Sequence, residues 1–154
     1  MNIMRAHHVG FTVRDVDRSV AFYRDVLGLE LIRISDRASI PSYDRMLGYK
    51  DVKLRIAVLT HPVNEFVLEL VQYVNPPAAG RELENRFVGA AHVAYRVANV
   101  DRTYEQIQEA GYGAINAPTD IVRDGKKVAR GMYALDPDGI SIEIFQEFED
   151  VVNQ

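Results

Sequence analysis

The chain repeats itself. Shifted by 84 positions, His8-Val-Gly-Phe-Thr-Val-Arg-Asp-Val-Asp-Arg18 lies over His92-Val-Ala-Tyr-Arg-Val-Ala-Asn-Val-Asp-Arg102, with six of the eleven positions identical. Each half also ends on an apolar segment with a Glu at its centre, Val67-Leu-Glu-Leu-Val71 and Ser141-Ile-Glu-Ile-Phe145, here with an offset of 74. The second half is therefore ten residues shorter, and the difference must fall in its middle. Two halves that each carry one His and one Glu at matching places must share one fold plan.

Alternation supplies that plan. Residues 8–13 place Val9, Phe11 and Val13 on one face and His8, Gly10 and Thr12 on the other, as a strand does. Asp15 or Asp17 caps a helix that runs to about Leu27 with Gly28 past its end. Strands follow at 29–34, 53–59 and 65–73, and residues 35–52 read as an irregular polar excursion suited to a lid, a binding loop or an interface segment. The second half repeats this with a strand at 92–97, a helix at 101–110 and a strand near Ala114. Polar residues 123–127 then lead to strands at 128–135 and 140–146, joined by the turn Asp136-Pro-Asp-Gly139. The expectation is an α+β fold of two βαβββ modules with mixed sheets, at 1–74 and 90–148. A linker at 75–89 would join them, and a loose acidic tail would occupy 149–154.

The same alternation sorts the polar residues. The bulky residues of each first strand must meet their helix, so His8 and His92 belong to the opposite face, with Glu69 and Glu143 beside them. A carboxylate in the middle of an apolar strand is costly unless it is paired or holds a cation. Singly, each His could be a core residue and each Glu half of an ion pair; their repetition at symmetric places favours a metal site. Two imidazoles and two carboxylates suit one divalent ion among Zn, Ni, Co, Mn and Fe, with two coordination positions open to substrate oxygens. Arg55 and Arg96 are expected on that face too, to hold a substrate carboxylate or phosphate or to form ion pairs. Tyr73 and Tyr133 are candidates to line it, whereas Tyr95 reads as core. His7 points away from His8 by strand alternation, and His61 beside Pro62 reads as surface.

Composition narrows the function. A net charge of −4 and a pI near 5.5 argue against nucleic acid and acidic membrane surfaces. The absence of Cys removes disulfides, thiolate ligands and Cys nucleophiles. No apolar run approaches the roughly 18–20 residues that span a bilayer, and the first residues lack a signal-peptide core, so a soluble, cytoplasmic protein is expected.

Several of these stretches together resemble the vicinal oxygen chelate superfamily over nearly the whole chain. They are His8-Val-Gly-Phe-Thr-Val, Asp17-Arg-Ser-Val-Ala-Phe-Tyr23, Leu27-Gly-Leu29, Leu68-Glu-Leu70, His92-Val-Ala-Tyr and Asp136-Pro-Asp-Gly-Ile-Ser-Ile-Glu143. The set His8, Glu69, His92 and Glu143 is similar to the metal ligands of glyoxalase I and of some epimerases in that superfamily. The resemblance implies a small-molecule substrate whose adjacent oxygens chelate the metal, which acidifies a carbon-bound proton; Glu143 or Glu69 then moves that proton as base. It also implies a homodimer, because such modules often pair between chains. Extradiol dioxygenases and fosfomycin enzymes use His where this chain has Glu69. The His required by the extradiol signature is replaced by the stretch Asp124-Gly-Lys-Lys127, although Tyr133 to Glu143 fits the end of that signature. The epimerase-like His-Gly-Lys appears as Asp124-Gly-Lys126 and no complete glutathione-binding set is present, which leaves the substrate open. A dioxygenase variant and a metal-free antibiotic-binding protein stand as alternatives.

Overall fold

The computed structural model describes residues 3–80 and 83–148; the expected tail at 149–154 lies outside them. The chain divides into two compact units, residues 1–81 and 82–154. Each is a βαβββ module built on a four-stranded mixed sheet.

In the first module β1 (Val9–Thr12) leads into α1 (Val16–Ala21), and β2 (Glu30–Ala38), α2 (Pro41–Leu47), β3 (Lys53–Thr60) and β4 (Val67–Asn75) follow. The strand order is β1-β4-β3-β2, with β1 parallel to β4 and the remaining pairs antiparallel. Asp15 caps α1 by accepting from the Arg18 N–H at 2.9 Å. The helix continues as a π-helical turn, Phe22–Val26, which buries both Phe22 and Tyr23 completely. Gly28, at φ +76°, closes it in the left-handed conformation that glycine adopts without steric cost. Val16, Val20, Phe22 and Tyr23 pack with Ala57, Leu59, Leu68 and Leu70, all at most 3% exposed. Each large aliphatic or aromatic side chain there stabilises the module by roughly 1.5–3 kcal/mol.

The excursion expected at 35–52 is largely ordered. β2 extends to Ala38, and α2 occupies 41–47, with Pro41 in its first turn and Gly48 at φ +75° past its end. The Asp44 carboxylate accepts the N–H groups of Asp51 and Val52 at 3.0 and 2.9 Å and folds the return to β3. Several Arg and Asp residues around one proline hid a two-turn helix.

The second module runs β5 (Val93–Arg96), α3 (Val100–Glu109), β6 (Thr119–Arg123), β7 (Lys126–Leu135) and β8 (Ser141–Glu147), in the order β5-β8-β7-β6. Asn99 caps α3 by accepting from the Arg102 N–H at 2.9 Å. The strand expected near Ala114 is reduced to a single bridge with Ala134; the second strand of the module is β6. It was missed because Thr119-Asp-Ile-Val-Arg123 carries too few apolar residues for a clear alternation. The polar run 123–127 is the tight turn of the β6–β7 hairpin. Asp124 and Gly125 both have positive φ, 49° and 75°, as a two-residue hairpin loop requires. The Asp136 carboxylate, 4% exposed, accepts from the N–H groups of Asp138 and Ile140 at 2.8 Å each and fixes the turn before β8. Among the described residues no helix is long and apolar enough to cross a membrane.

Candidate functional site

Cross-strand pairing determines which side chains share a face. In the first sheet Gly10 and Val58 flank Glu69, so Glu69 lies on the face away from α1, as alternation predicts. His8, just before β1, brings its Nε2 to 3.6 Å from the Glu69 carboxylate. In the second sheet Ala94 and Tyr133 flank Glu143, and His92 Nε2 lies 3.2 Å from that carboxylate. All four side chains are partly exposed, between 23% and 46%, so each pair is open to a ligand from solvent. Two ligand atoms bound at about 2.1 Å and at right angles to one ion are about 3.0 Å apart. Both pairs come near that spacing. Among the described residues no group of three or more His, Asp or Glu gathers at one place; each module presents two donors.

The environments of the pairs differ. His7, expected to point away, has its Nδ1 at 2.8 Å from Nδ1 of His8 and its ring edge-on to the His8 ring. Both residues precede the first strand, so strand alternation does not apply to them. The hydrogen bond through Nδ1 leaves Nε2 of His8 toward Glu69, the way a supporting group fixes a ligand's tautomer. In the second module Tyr133 has its ring edge-on to His92, with centroids 5.5 Å apart. Burial pushes the Tyr133 hydroxyl above the ordinary phenol range, and the charge of Glu143 and a hydrogen bond to it push further. Tyr133 thus stays a neutral donor to Glu143. The corresponding neighbour of Glu69 is Val58, which cannot donate.

One expected site residue is misplaced. Arg55 pairs across the sheet with Gln72, on the helix side, and not with the residues around Glu69. Its guanidinium donates to both oxygens of Asp17 at 2.9 and 3.1 Å and lies 3.9 Å from Asp36. The Asp17 hydrogen bond and charge raise its pKa further. Arg55 is therefore a clamp on the start of α1. The error has a local cause: β3 buries Leu54 and Val58 on one face and Ala57 and Leu59 on the other, so alternation alone does not tell which face meets α1. Arg96 does share the face of Glu143, and its guanidinium pairs with Glu147 at 3.3 Å. Tyr73 lies two residues beyond Val71 on β4, opposite Leu54, with its ring edge-on to Tyr49 at 6.2 Å.

The second sheet carries an open cavity of about 540 Å³ on its Glu143 side. Glu143, Phe145 and Glu147 of β8 line it, with Ile121 and Arg123 of β6 and Val128 of β7. Gly131 stands opposite Phe145, where a side chain would come within 3.3 Å of the Ile144 carbonyl. Sequence reasoning passed over Arg123, since it sits in a run read as polar loop.

The chain as a whole has relatives among known proteins. The Glyoxalase/Bleomycin resistance protein/Dioxygenase superfamily is matched by residues 5–144. The chain is 32% identical over 146 residues to a 2-epi-5-epi-valiolone epimerase of an Actinomyces species, spanning 90% of this chain and 76% of that protein. It is 28% identical over 143 residues to the lactoylglutathione lyase of Haemophilus influenzae, spanning 93% of each. A glyoxalase family protein of Bacillus cereus has the same fold, with a TM-score of 0.83 at 19% identity over 96% of this chain and 97% of that one.

Proposed function

This chain belongs to the Glyoxalase/Bleomycin resistance protein/Dioxygenase superfamily, and from that premise we infer a divalent-metal-dependent isomerase, lyase or epimerase. Its substrate would be a small molecule with adjacent oxygens, and the reaction would move a proton on the neighbouring carbon. Relatives named as a lyase and an epimerase support the reaction class. The single observation that carries the metal reading is the matched His–Glu spacing in both modules, 3.6 and 3.2 Å. His8 and Glu69 of the first module and His92 and Glu143 of the second are the metal donors in this reading, for a divalent ion among Zn, Ni, Co, Mn and Fe, since imidazole nitrogen and carboxylate oxygen are donors that these ions accept. When bound, the ion supplies Lewis acidity to the substrate oxygens.

The proteins's own groups divide the remaining work. Tyr133 donates to Glu143 and so engages one of its lone pairs, which favours Glu143 as a fixed ligand. Glu69 faces Val58 and lacks that donor, so we assign it the proton transfer. The His7–His8 hydrogen bond keeps His8 oriented. A homodimer belongs to the same proposal and is read directly by light scattering.

The test combines elemental analysis with proton exchange. Purified protein should carry near-stoichiometric divalent metal, and His92→Ala should lose it. Candidate hemithioacetals, acyl-CoA esters and cyclic polyol ketones should exchange a carbon-bound proton for deuterium from solvent. Protein that stays metal-free after incubation with each of these ions overturns the reading. Iron with oxygen uptake would instead indicate ring-cleavage chemistry.

A further inference from the structure

We propose that the cavity of the second module is a subsite for an organic anion on an apolar body, with Arg123 taking the anionic group. The proposal rests on the enzymatic reading for what happens at Glu143, but the subsite itself can be tested without it.

The two carboxylates that line the cavity are engaged by neighbours beyond its lining. Glu147 is held by Arg96 at 3.3 Å, and Glu143 by His92 at 3.2 Å and by the Tyr133 hydroxyl. Among the described residues Arg123 makes no ion pair, although it lines the same cavity. The residue directly opposite it in the β6–β7 hairpin is Lys126, a like charge that likewise has no ion pair among the described residues. Only Asp124 of the intervening turn carries a negative charge between them. Like charges facing each other across a hairpin are unfavourable, and an incoming anion relieves that repulsion. The neighbouring cation on β7, Lys127, is by contrast engaged by Asp120.

The rest of the lining is apolar. Ile121, Val128 and Phe145 form a wall on the way from Arg123 to Glu143. A volume of about 540 Å³ suits a small organic molecule. Guanidinium at the end of the hairpin, hydrocarbon wall and carboxylate at Glu143 together select a molecule with an anionic group at one end and its reacting end near Glu143. Carboxylate, phosphate and sulfonate share that chemistry, because each presents two oxygens to the guanidinium fork.

The experiment titrates metal-free, full-length protein with two fluorescent dyes that share one ring system. These are 8-anilinonaphthalene-1-sulfonate, which is anionic, and N-phenyl-1-naphthylamine, which lacks the sulfonate. Arg123→Ala should weaken the anionic dye about tenfold, the loss expected of a charge-assisted pair, and leave the neutral dye unchanged. Ile121→Ser should weaken both. Both residues are exposed, so neither variant threatens folding. Wild-type affinity for the anionic dye in Arg123→Ala, or equal loss of both dyes, overturns the proposal. Metal content of the same proteins separates the two readings. Selective dye loss in a protein that never binds metal keeps the subsite and removes the enzyme. Stoichiometric metal with no dye selectivity does the reverse.

Discussion

Asp15 and Asn99 open their helices by the same side-chain bond. Gln72 and Gln146, three residues past each central Glu, accept the N–H of Val16 and Val100 at 3.1 and 3.2 Å. Arg55 holds Asp17 and Asp36, and Arg130 holds Asp101 and Asp120 in the matching strands. On their helix sides the two modules are thus copies, down to the polar contacts. On their other sides they part. Glu69 stands opposite Val58, Glu143 opposite Tyr133; β2 and β3 are joined through α2, β6 and β7 by two residues. The offset between matching residues falls from 84 at Asp36/Asp120 to 75 at Arg55/Arg130 and 74 at Glu69/Glu143. Nine of the ten missing residues are therefore accounted for by the connection that contains α2. A helix and its sheet tolerate little drift because their contacts are buried and mutually dependent; the open face can diverge to suit a ligand.

This contrast can be broken most severely at the ligand pairs. His92→Ala and Glu143→Gln should weaken metal binding by more than the roughly 100-fold that loss of a supporting partner costs, read by competition with a chromogenic chelator. Glu69→Gln should abolish proton exchange as well. Tyr133→Phe comes next. It should weaken metal binding or lower kcat by about 10- to 100-fold, the range for a hydrogen-bond partner of a ligand. Val58→Ala should change metal binding little, and equal effects at the two positions would erase the proposed asymmetry.

The copied side of the comparison predicts equality. Gln72→Ala and Gln146→Ala each remove a helix-start acceptor and should each cost about 1 kcal/mol in urea unfolding. Very different costs would show that the shared contacts do unequal work.

The smallest effect is a pH dependence. Hydrogen bonds from Lys127 and Arg130 hold the Asp120 carboxyl below its ordinary value. A depressed folded pKa gives stability that is present above the unfolded value of about 3.9 and is lost as pH falls through the folded value. The urea midpoint should therefore drop from pH 5 toward pH 3, and drop less in Asp120→Asn. An unchanged pH slope in that variant would make the Arg130 cluster irrelevant to acid stability.

The repeat made the two-module fold legible, because identical apolar alternation admits one sheet register per half. It also placed Glu69 and Glu143 on the faces the structure gives them. What escaped was whatever depended on pairing between strands rather than order along one. Arg55 changed faces because β3 is apolar on both sides, and only its pairing with β4 shows which side meets the helix. Tyr133 was legible as a candidate for that face, but only the β7–β8 register set it against Glu143. The Gln72 and Gln146 caps were visible as Glu-Leu-Val-Gln72 and Glu-Ile-Phe-Gln146, and repeat comparison carried three residues further would have found them.

The pairing of β1 with β4, and of β5 with β8, has a temporal consequence. The first strand of each module finds its parallel partner about sixty residues downstream for β1 and about fifty for β5. At roughly 5–20 residues per second of synthesis, an emerging β1 waits several seconds with its edge unpaired. Neither sheet can close until its own last strand has left the ribosome, and the first module reaches that point while most of the second is still unmade.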